Sequence, residues 1–495
     1  MGVIQNLYGQ SLALLTDLYQ LTMAYGYWKL GMAEREAVFH LNFRKQPFGG
    51  GFSVACGLHE AIEYLQALRF DASDLDYVAS LTGNDGKPLF DRGFMEYLGR
   101  FRFACDVDAI PEGTVVFPYE PLVRVTGPLL QAQLLETPLL NIINFSTLIA
   151  TKAARVCQAA RGDPVLEFGL RRAQGIDGGV TASRAAFVGG CAATSNVLAG
   201  KLFGIPCKGT HAHSWVMAFG DELEAFEAYA SAMPNNCVFL VDTYDTLQGV
   251  RHAVQVGKKL RERGHEMVGI RLDSGDLAYL SIEARKILDA GGFPKAQILA
   301  SNDLDETIIA SLKEQGARVV VWGVGTKLAT AYDNPALGGV YKISALRGPD
   351  GQWEYKLKLS EQTAKMSIPG ILQVRRFRGP DGLFSADAMY DTGTGISQPL
   401  TIVDPADSAR RKSVPADAAG DDLLVPVFRA GNLVYQTPVL RDVQRRTSEQ
   451  LAALHPSIKR LVNPHRFPAG LELQLHDLRT RLIDKVRQAD GAAMT

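Results

Sequence analysis

Short apolar runs return at a nearly constant interval through the middle of the chain. VFLVD (238–242), MVGIRLD (267–273) and QILAS (297–301) begin about 30 residues apart, and RVVVWG (318–323) follows. Between them lie TLQGVRHAVQVGKKLRER, LAYLSIEARKILDAG and LDETIIASLKEQG, each with helical spacing of its apolar residues. That alternation is the signature of successive βα units, because a parallel neighbour can be reached only through a crossover. Upstream, VLEFG (165–169), AFVGG (186–190) and IPCKGT (205–210) fit weaker strands. About seven parallel strands then predict an α/β fold close to a TIM-like barrel, and an incomplete one.

The flanks have a different texture. Leu12–Tyr27 reads as a helix, EAVFHLNF (36–43) as a strand, and TVVF and LVRV as strands parted by Pro118 and Pro121. A long helix is expected from an N-cap at Thr137, closed by Gly162 and Pro164. Past residue 340, VYKISAL and WEYKLKL flank one RGPDG, and ILQVRRF and LFSADAMY flank a second; Pro-Asp-Gly predicts a hairpin at each. The Ala/Asp/Pro-rich stretch 404–421 reads as a loop, with helices at 448–462 and 470–488. The expected organisation is an N-terminal part (1–140), a barrel (141–340) and a C-terminal part (341–495).

Composition narrows the function. Fifty-two Lys and Arg against 53 Asp and Glu leave a formal charge of -1, which argues against a general nucleic-acid binder but not against a local pocket for a small polyanion. The six cysteines never occur as Cys-x-x-Cys, so buried thiols are expected rather than a disulfide frame or zinc knuckle. No apolar run approaches membrane-spanning length, MGVIQNLYGQ lacks a secretory pattern, and Asn6 breaks a myristoylation motif. A cytoplasmic location is the expectation.

Barrel chemistry sits at the carboxyl ends of the strands. Here those ends carry Phe168 and Arg171, then Ser195, then His211 and His213, then Asp242 and Asp245, Arg271 and Asp273, Asn302, and finally Gly323, Gly325 and Thr326. Arginines clamp phosphate or carboxylate, and a glycine turn before a helix offers backbone N–H groups to an anion. Asp242, Asp245 and Asp273 could hold magnesium or a ribose hydroxyl. Each residue alone has a plainer role: an Asp after a strand is usually a helix cap, and an Arg pair is usually surface. His211 and His213, one residue apart, would face opposite sides if extended, so at most one points into the site. Walker A and GxGxxG spacings are absent. The His-Ala-His run is similar to barrel metallohydrolases, but His252 and His265 fall outside strand ends.

Together with TDLYQLTMAYGYW (16–28), FRKQPFGGGF (43–52), EFGLRRAQG (167–175), GTHAHSW (209–215), RLDSGDL (271–277), GVGTKL (323–328), KLSEQTAKMSIPG (358–370) and NPHRFPAGLELQLHDL (463–478), these residues resemble the nicotinate phosphoribosyltransferase family over nearly the full chain. The resemblance implies a barrel joined to a mixed α+β domain built from both chain ends, in a homodimer with shared active sites. It implies transfer from phosphoribosyl pyrophosphate to nicotinate, coupled to ATP hydrolysis, in NAD salvage.

By that resemblance His213 matches the histidine phosphorylated by ATP. Phe168 and Tyr19 match the aromatic pair that sandwiches the pyridine, with Tyr19 from the partner subunit. Arg171 lies near the pyridine, and Asp242, Arg271 and Asp273 lie near the ribose, pyrophosphate and magnesium. Arg44 and Lys45 reach over the phosphates, and Asn302, Gly323, Gly325 and Thr326 cradle the 5′-phosphate. Ser195 stands where the nicotinamide-using sister enzyme carries an aspartate; a serine can donate to a carboxylate that an aspartate would repel, which favours nicotinate. A quinolinate enzyme would want more basic residues and no ATP-handling histidine. A non-catalytic relative would lack His213, Arg271 or Asp273.

Overall fold

The computed structural model describes residue 9, residues 11–360 and residues 366–492. The first eight residues, Asn6 among them, and positions 361–365 of KLSEQTAKMSIPG lie outside the described residues. The chain divides into two compact units, one of residues 149–335 and one of residues 1–148 with 336–495.

The middle unit is a parallel sheet of six strands: β1 (Val165–Glu167), β2 (Ala193–Thr194), β3 (Val238–Leu240), β4 (Gly269–Leu272), β5 (Gln297–Ala300) and β6 (Val321–Val324). Their order is β2-β1-β6-β5-β4-β3, every pair parallel. Leu166, Ala193, Val238, Leu299 and Val321, from five of these strands, form one buried cluster against which Phe168 packs. Asp221, Asp245, Asp276 and Asp305 each cap a following helix by accepting a backbone N–H, which gives Asp245 the plainer role of a helix cap.

Among the described residues the sheet does not close. The run 205–210 supplies a single bridge, Cys207 to Thr194, rather than a strand. AFVGG is not a strand either: residues 186–188 end the helix Gly175–Val188, whose buried face reads as an apolar run, and the strand follows at Ala193. The barrel is therefore incomplete, with six strands instead of about seven.

The other unit interleaves the two ends of the chain. Its seven-stranded sheet places Glu36–Asn42 between Val340–Arg347 and Val123–Pro128, and pairs Asp106–Ala109 with Val425–Arg429, all antiparallel. A six-stranded sheet holds Leu372–Arg378, Phe384–Asp391, Leu400–Val403 and Ala469–Glu472. Both RGPDG hairpins form, with Gly351 and Gly382 at φ +76° and +78° as the turns require.

Four local expectations change. The stretch 404–421 contributes edge strands, Arg411–Val414 and Gly420–Asp422, rather than only loop. The helix expected at 448–462 is Leu440–Ala452, stopping ahead of Pro456. The first helix is Leu18–Lys29. The long helix starts at Glu136, one residue before Thr137, whose hydroxyl instead donates to Asp17 at 2.8 Å. No helix among the described residues is long and apolar enough to cross a membrane.

Candidate active site at the carboxyl edge of the parallel sheet

β1 ends on Glu167, whose side chain is 1% exposed. Its carboxylate accepts from Ser183 Oγ at 2.9 Å, from Thr194 Oγ1 at 2.6 Å and from the Gly169 N–H. A buried carboxylate is stable only when so paired, and this one fixes the turn that carries Phe168. The Phe168 ring lies against Gly323, where an added Cβ would come within 2.7 Å of it. Gly169 in turn leaves no room for a Cβ beside Ala329 and Gly325. The Ser195 N–H donates to Glu167 O at 2.9 Å, one step beyond the Glu167–Thr194 register pair, which sets Ser195 next to the Phe168 turn.

Asp242, past β3, has a side chain 1% exposed and joins three segments. Its Oδ1 is 3.2 Å from His213 Nε2, while Oδ2 accepts from the Asp273 N–H at 2.8 Å and Ser274 Oγ at 2.7 Å. His213 opens the short helix His213–Met217 with its side chain 40% exposed. With Nε2–H donated to Asp242, the ring keeps its lone pair on Nδ1.

His211 has the opposite fate. It is 7% exposed, its Nδ1 is 3.4 Å from Ala212 O, and its Nε2 accepts the Leu240 N–H at 3.2 Å. Its ring meets Tyr229 edge-on at 4.8 Å. Burial, joined by the charges of Arg271 and His213, brings its pKa down to about 4 and keeps it neutral. The imidazole thus takes up a backbone donor of β3, an edge strand of the open sheet. Of the two histidines, the one that reaches the sheet-edge carboxylates is His213.

Arg271 shares a sheet face with its register partner Leu299 and with Val321. Its Nη1 donates to Thr210 Oγ1 at 2.5 Å and its Nη2 lies 3.8 Å from Asp273 Oδ1, while Nε is buried without a hydrogen-bond partner among the described residues. Burial pulls its pKa down, and the nearby Arg171 charge acts in the same direction. Asp273 Oδ1 also accepts from Ser301 Oγ. Asn302 follows at φ +110°, an uncommon backbone state for a non-glycine residue. Gly325 accepts the N–H groups of Leu328 and Ala329 into the single turn Thr326–Ala329.

Both Asp242 oxygens are engaged, whereas Asp273 Oδ2 has no partner among the described residues. Magnesium characteristically takes one or two carboxylates together with substrate phosphate oxygens and water. Asp273 offers an unpaired oxygen for that role, while both oxygens of Asp242 hold His213 and the β4 turn. No group of three or more metal-ligating side chains occurs among the described residues.

In the other unit, Tyr19 is half-exposed on the helix Leu18–Lys29, and burial together with the Glu136 charge raises its pKa. Arg44 and Lys45 follow the strand Glu36–Asn42 and line a cleft of about 580 Å³. Glu167, Thr210, Ser274 and Ser301 stand at the same polar strand ends in the sequence, which gives them no role, and the structure makes them hydrogen-bond supports of the site. Their signal was a hydrogen-bonding side chain at the end of an apolar run.

A parallel α/β sheet whose edge gathers an aromatic ring on a glycine turn, a buried arginine, two carboxylates and an imidazole defines a site for a flat, phosphate-bearing small molecule. Family models match three successive stretches: the nicotinate phosphoribosyltransferase N-terminal domain over residues 14–144, the nicotinate phosphoribosyltransferase family over 165–350 and the C-terminal domain over 372–479. Nicotinate phosphoribosyltransferase of Bacillus subtilis (strain 168) is 44% identical over 490 residues, covering 97% of this chain and 98% of that protein. The enzyme of that name from Homo sapiens is 35% identical over 524 residues, covering 94% and 95%. The crystal structure of human nicotinic acid phosphoribosyltransferase matches with a TM-score of 0.82 at 34% identity, over 94% of this chain and 99% of that one. The chain belongs to the nicotinate phosphoribosyltransferase family.

Proposed function

We propose that this chain transfers the phosphoribosyl group of phosphoribosyl pyrophosphate to nicotinate, as a cytoplasmic homodimer acting in NAD salvage, with ATP as co-substrate. The observation that carries the reading is the His213–Asp242 pair, set beside Arg271 at the sheet edge. In the ATP half-reaction, His213 Nδ1 attacks the γ-phosphorus. The bond to the bridging oxygen breaks, ADP leaves with that electron pair, and Asp242 stabilises the charge on the ring. In the transfer half-reaction, the pyridine nitrogen bonds to the ribose C1′ as the C1′–O bond to pyrophosphate breaks.

Phe168 holds one face of the pyridine and Tyr19 of a second subunit holds the other. Arg171 and Ser195 receive the nicotinate carboxylate, which separates it from nicotinamide. Arg271, with Arg44 and Lys45 of a second subunit, binds the diphosphate; Asn302, Gly323, Gly325 and Thr326 bind the 5′-phosphate. Magnesium, held by Asp273 together with diphosphate oxygens, would offset charge on the leaving group.

The test is mononucleotide formation from nicotinate, nicotinamide or quinolinate with the donor, with and without ATP. Nicotinate is the expected substrate, stimulated by ATP. His213→Ala keeps a slow ATP-independent transfer and loses the stimulation. Full ATP coupling in that variant, or preference for another pyridine, would overturn the reading.

A further inference from the structure

Lys327, inside GVGTKL, has no part in the site described above, although an ammonium next to a glycine turn suggests a phosphate ligand. Its Nζ is already engaged, 2.6 Å from Asp305 Oδ2, with the two side chains 23% and 10% exposed. The carboxylate of Asp305 divides its work. Oδ1 accepts the Ile308 N–H at 2.8 Å and caps the helix Glu306–Glu314, while Oδ2 takes Lys327. Burial works against the Asp305 charge, but Lys327 and the Ile308 N–H outweigh it and hold its pKa below the usual carboxylate value; the carboxylate in turn raises that of Lys327.

The pair joins two loops beyond the reach of the sheet. The register of β5 and β6 ends at Ala300–Trp322, so strand hydrogen bonds no longer set the spacing further on. Asp305 stands three residues after Asn302, whose carbonyl accepts the Leu304 N–H at 2.7 Å. Lys327 directly follows Gly325 and Thr326, and Thr330 Oγ1 donates to Thr326 O at 2.7 Å. A second pair lies alongside: Lys152 Nζ, on the long helix, is 2.7 Å from Asp333 Oδ2 and 2.6 Å from Glu306 Oε2. Arg155 Nε donates to Glu306 Oε1 at 2.8 Å. The charges alternate, with the Lys152 field reaching Asp305 and the Asp333 field reaching Lys327. Both ends of the segment 327–333 are thereby fastened to the start of one helix.

We infer that Lys327 and Asp305 are positioning residues for the donor's 5′-phosphate: the pair is a strut that fixes the spacing between Asn302 and the Gly325–Thr326 turn, and Lys327 is not itself a phosphate ligand. The inference rests on the 5′-phosphate cradle proposed above and deepens it. A constellation of anion donors keeps its affinity only while the donors stay within roughly 0.5 Å of the productive geometry. A lysine whose charge a shielded carboxylate already balances adds little attraction for a phosphate; what it adds is a fixed distance.

The experiment is calorimetric binding of ribose 5-phosphate to the full chain, with the steady-state KM for phosphoribosyl pyrophosphate beside it, in Asp305→Asn, Lys327→Met, their combination and Lys327→Arg. Asparagine caps a helix as well as aspartate does, so Asp305→Asn removes the ion pair and keeps the Ile308 bond. Each of Asp305→Asn and Lys327→Met is expected to weaken ribose 5-phosphate about tenfold and to raise KM more than it lowers kcat, and the combination to go no further than either alone. Lys327→Arg should retain most of the affinity. A direct ligand would behave otherwise: Lys327→Met would lose binding, while Asp305→Asn, freeing the ammonium, would hold or gain it. That pattern overturns the inference, as does a loss of unfolding free energy with phosphate affinity intact. A wild-type chain that forms mononucleotide beside variants of unaltered affinity overturns this inference alone; one that binds no ribose 5-phosphate overturns the cradle as well.

Discussion

The edge of the parallel sheet and the cationic cleft handle charge in opposite ways. At the edge, Glu167 and Asp242 each take three hydrogen bonds from the protein, and Asp273 and Arg271 are tied to Ser301 and Thr210. In the cleft, cations outnumber carboxylates and the fixed elements are an aromatic stack and a strained tyrosine. The first arrangement settles geometry during folding, so that little reorganisation remains when charge develops in a reaction. The second concentrates positive charge, from Arg44, Lys45 and Arg466, on one lining.

If the edge is preorganised, one substitution there should be felt by several residues at once. Asp242→Ala removes the partner of His213 and the acceptor of the Asp273 N–H and Ser274 together, and kcat/KM should fall about a thousandfold or more in a steady-state assay. A loss under tenfold would erase the contrast with the cleft. Next in size is Glu167→Ala, which leaves the buried Thr194 hydroxyl and the Gly169 N–H without their acceptor, while Ser183 keeps Gly179 O. Denaturant unfolding should register a loss of about 2–4 kcal/mol, and a change below about 1 kcal/mol would show that the Phe168 turn stands without it.

The smallest effect concerns His211 and sharpens the comparison through pH. Its folded pKa of about 4 lies below the ordinary histidine value, so on acidification the unfolded chain takes up the proton first. Its stabilising contribution is complete above about pH 6.5 and is lost as pH falls toward 4, by up to about 3 kcal/mol. In His211→Gln, the slope of unfolding free energy between those limits should drop by close to one proton; an unaltered slope would place the acid sensitivity elsewhere.

The middle unit was legible because strands buried on both faces read as apolar runs at a regular interval, and their polar ends point to Phe168, His213, Arg271 and Asp273. AFVGG misled because the end of an apolar helix and a buried strand have the same short pattern. Arg411–Val414 and Gly420–Asp422 escaped notice because edge strands exposed to solvent carry no apolar alternation. Asp245 and Asp242 are alike in sequence, and only the helix start at Thr246 distinguishes a cap from a site carboxylate. Glu167 is visible at its strand end, but its role as acceptor for three donors depends on Ser183, Thr194 and Gly169 coming together in the fold. The cleft was illegible beyond Arg44 and Lys45, since Arg466 lies some 420 residues further along the chain and meets them only in the fold.

The interleaving of the two chain ends has a consequence for synthesis. All six parallel strands lie between residues 165 and 324, so that sheet can assemble on the nascent chain before either C-terminal hairpin exists. The strand Glu36–Asn42, buried over five consecutive residues, can pair early with Val123–Pro128, but its other edge waits for Val340–Arg347. Some 300 residues must be translated in between, roughly 15–60 seconds at ribosomal speed, during which an apolar edge needs shelter from neighbouring chains.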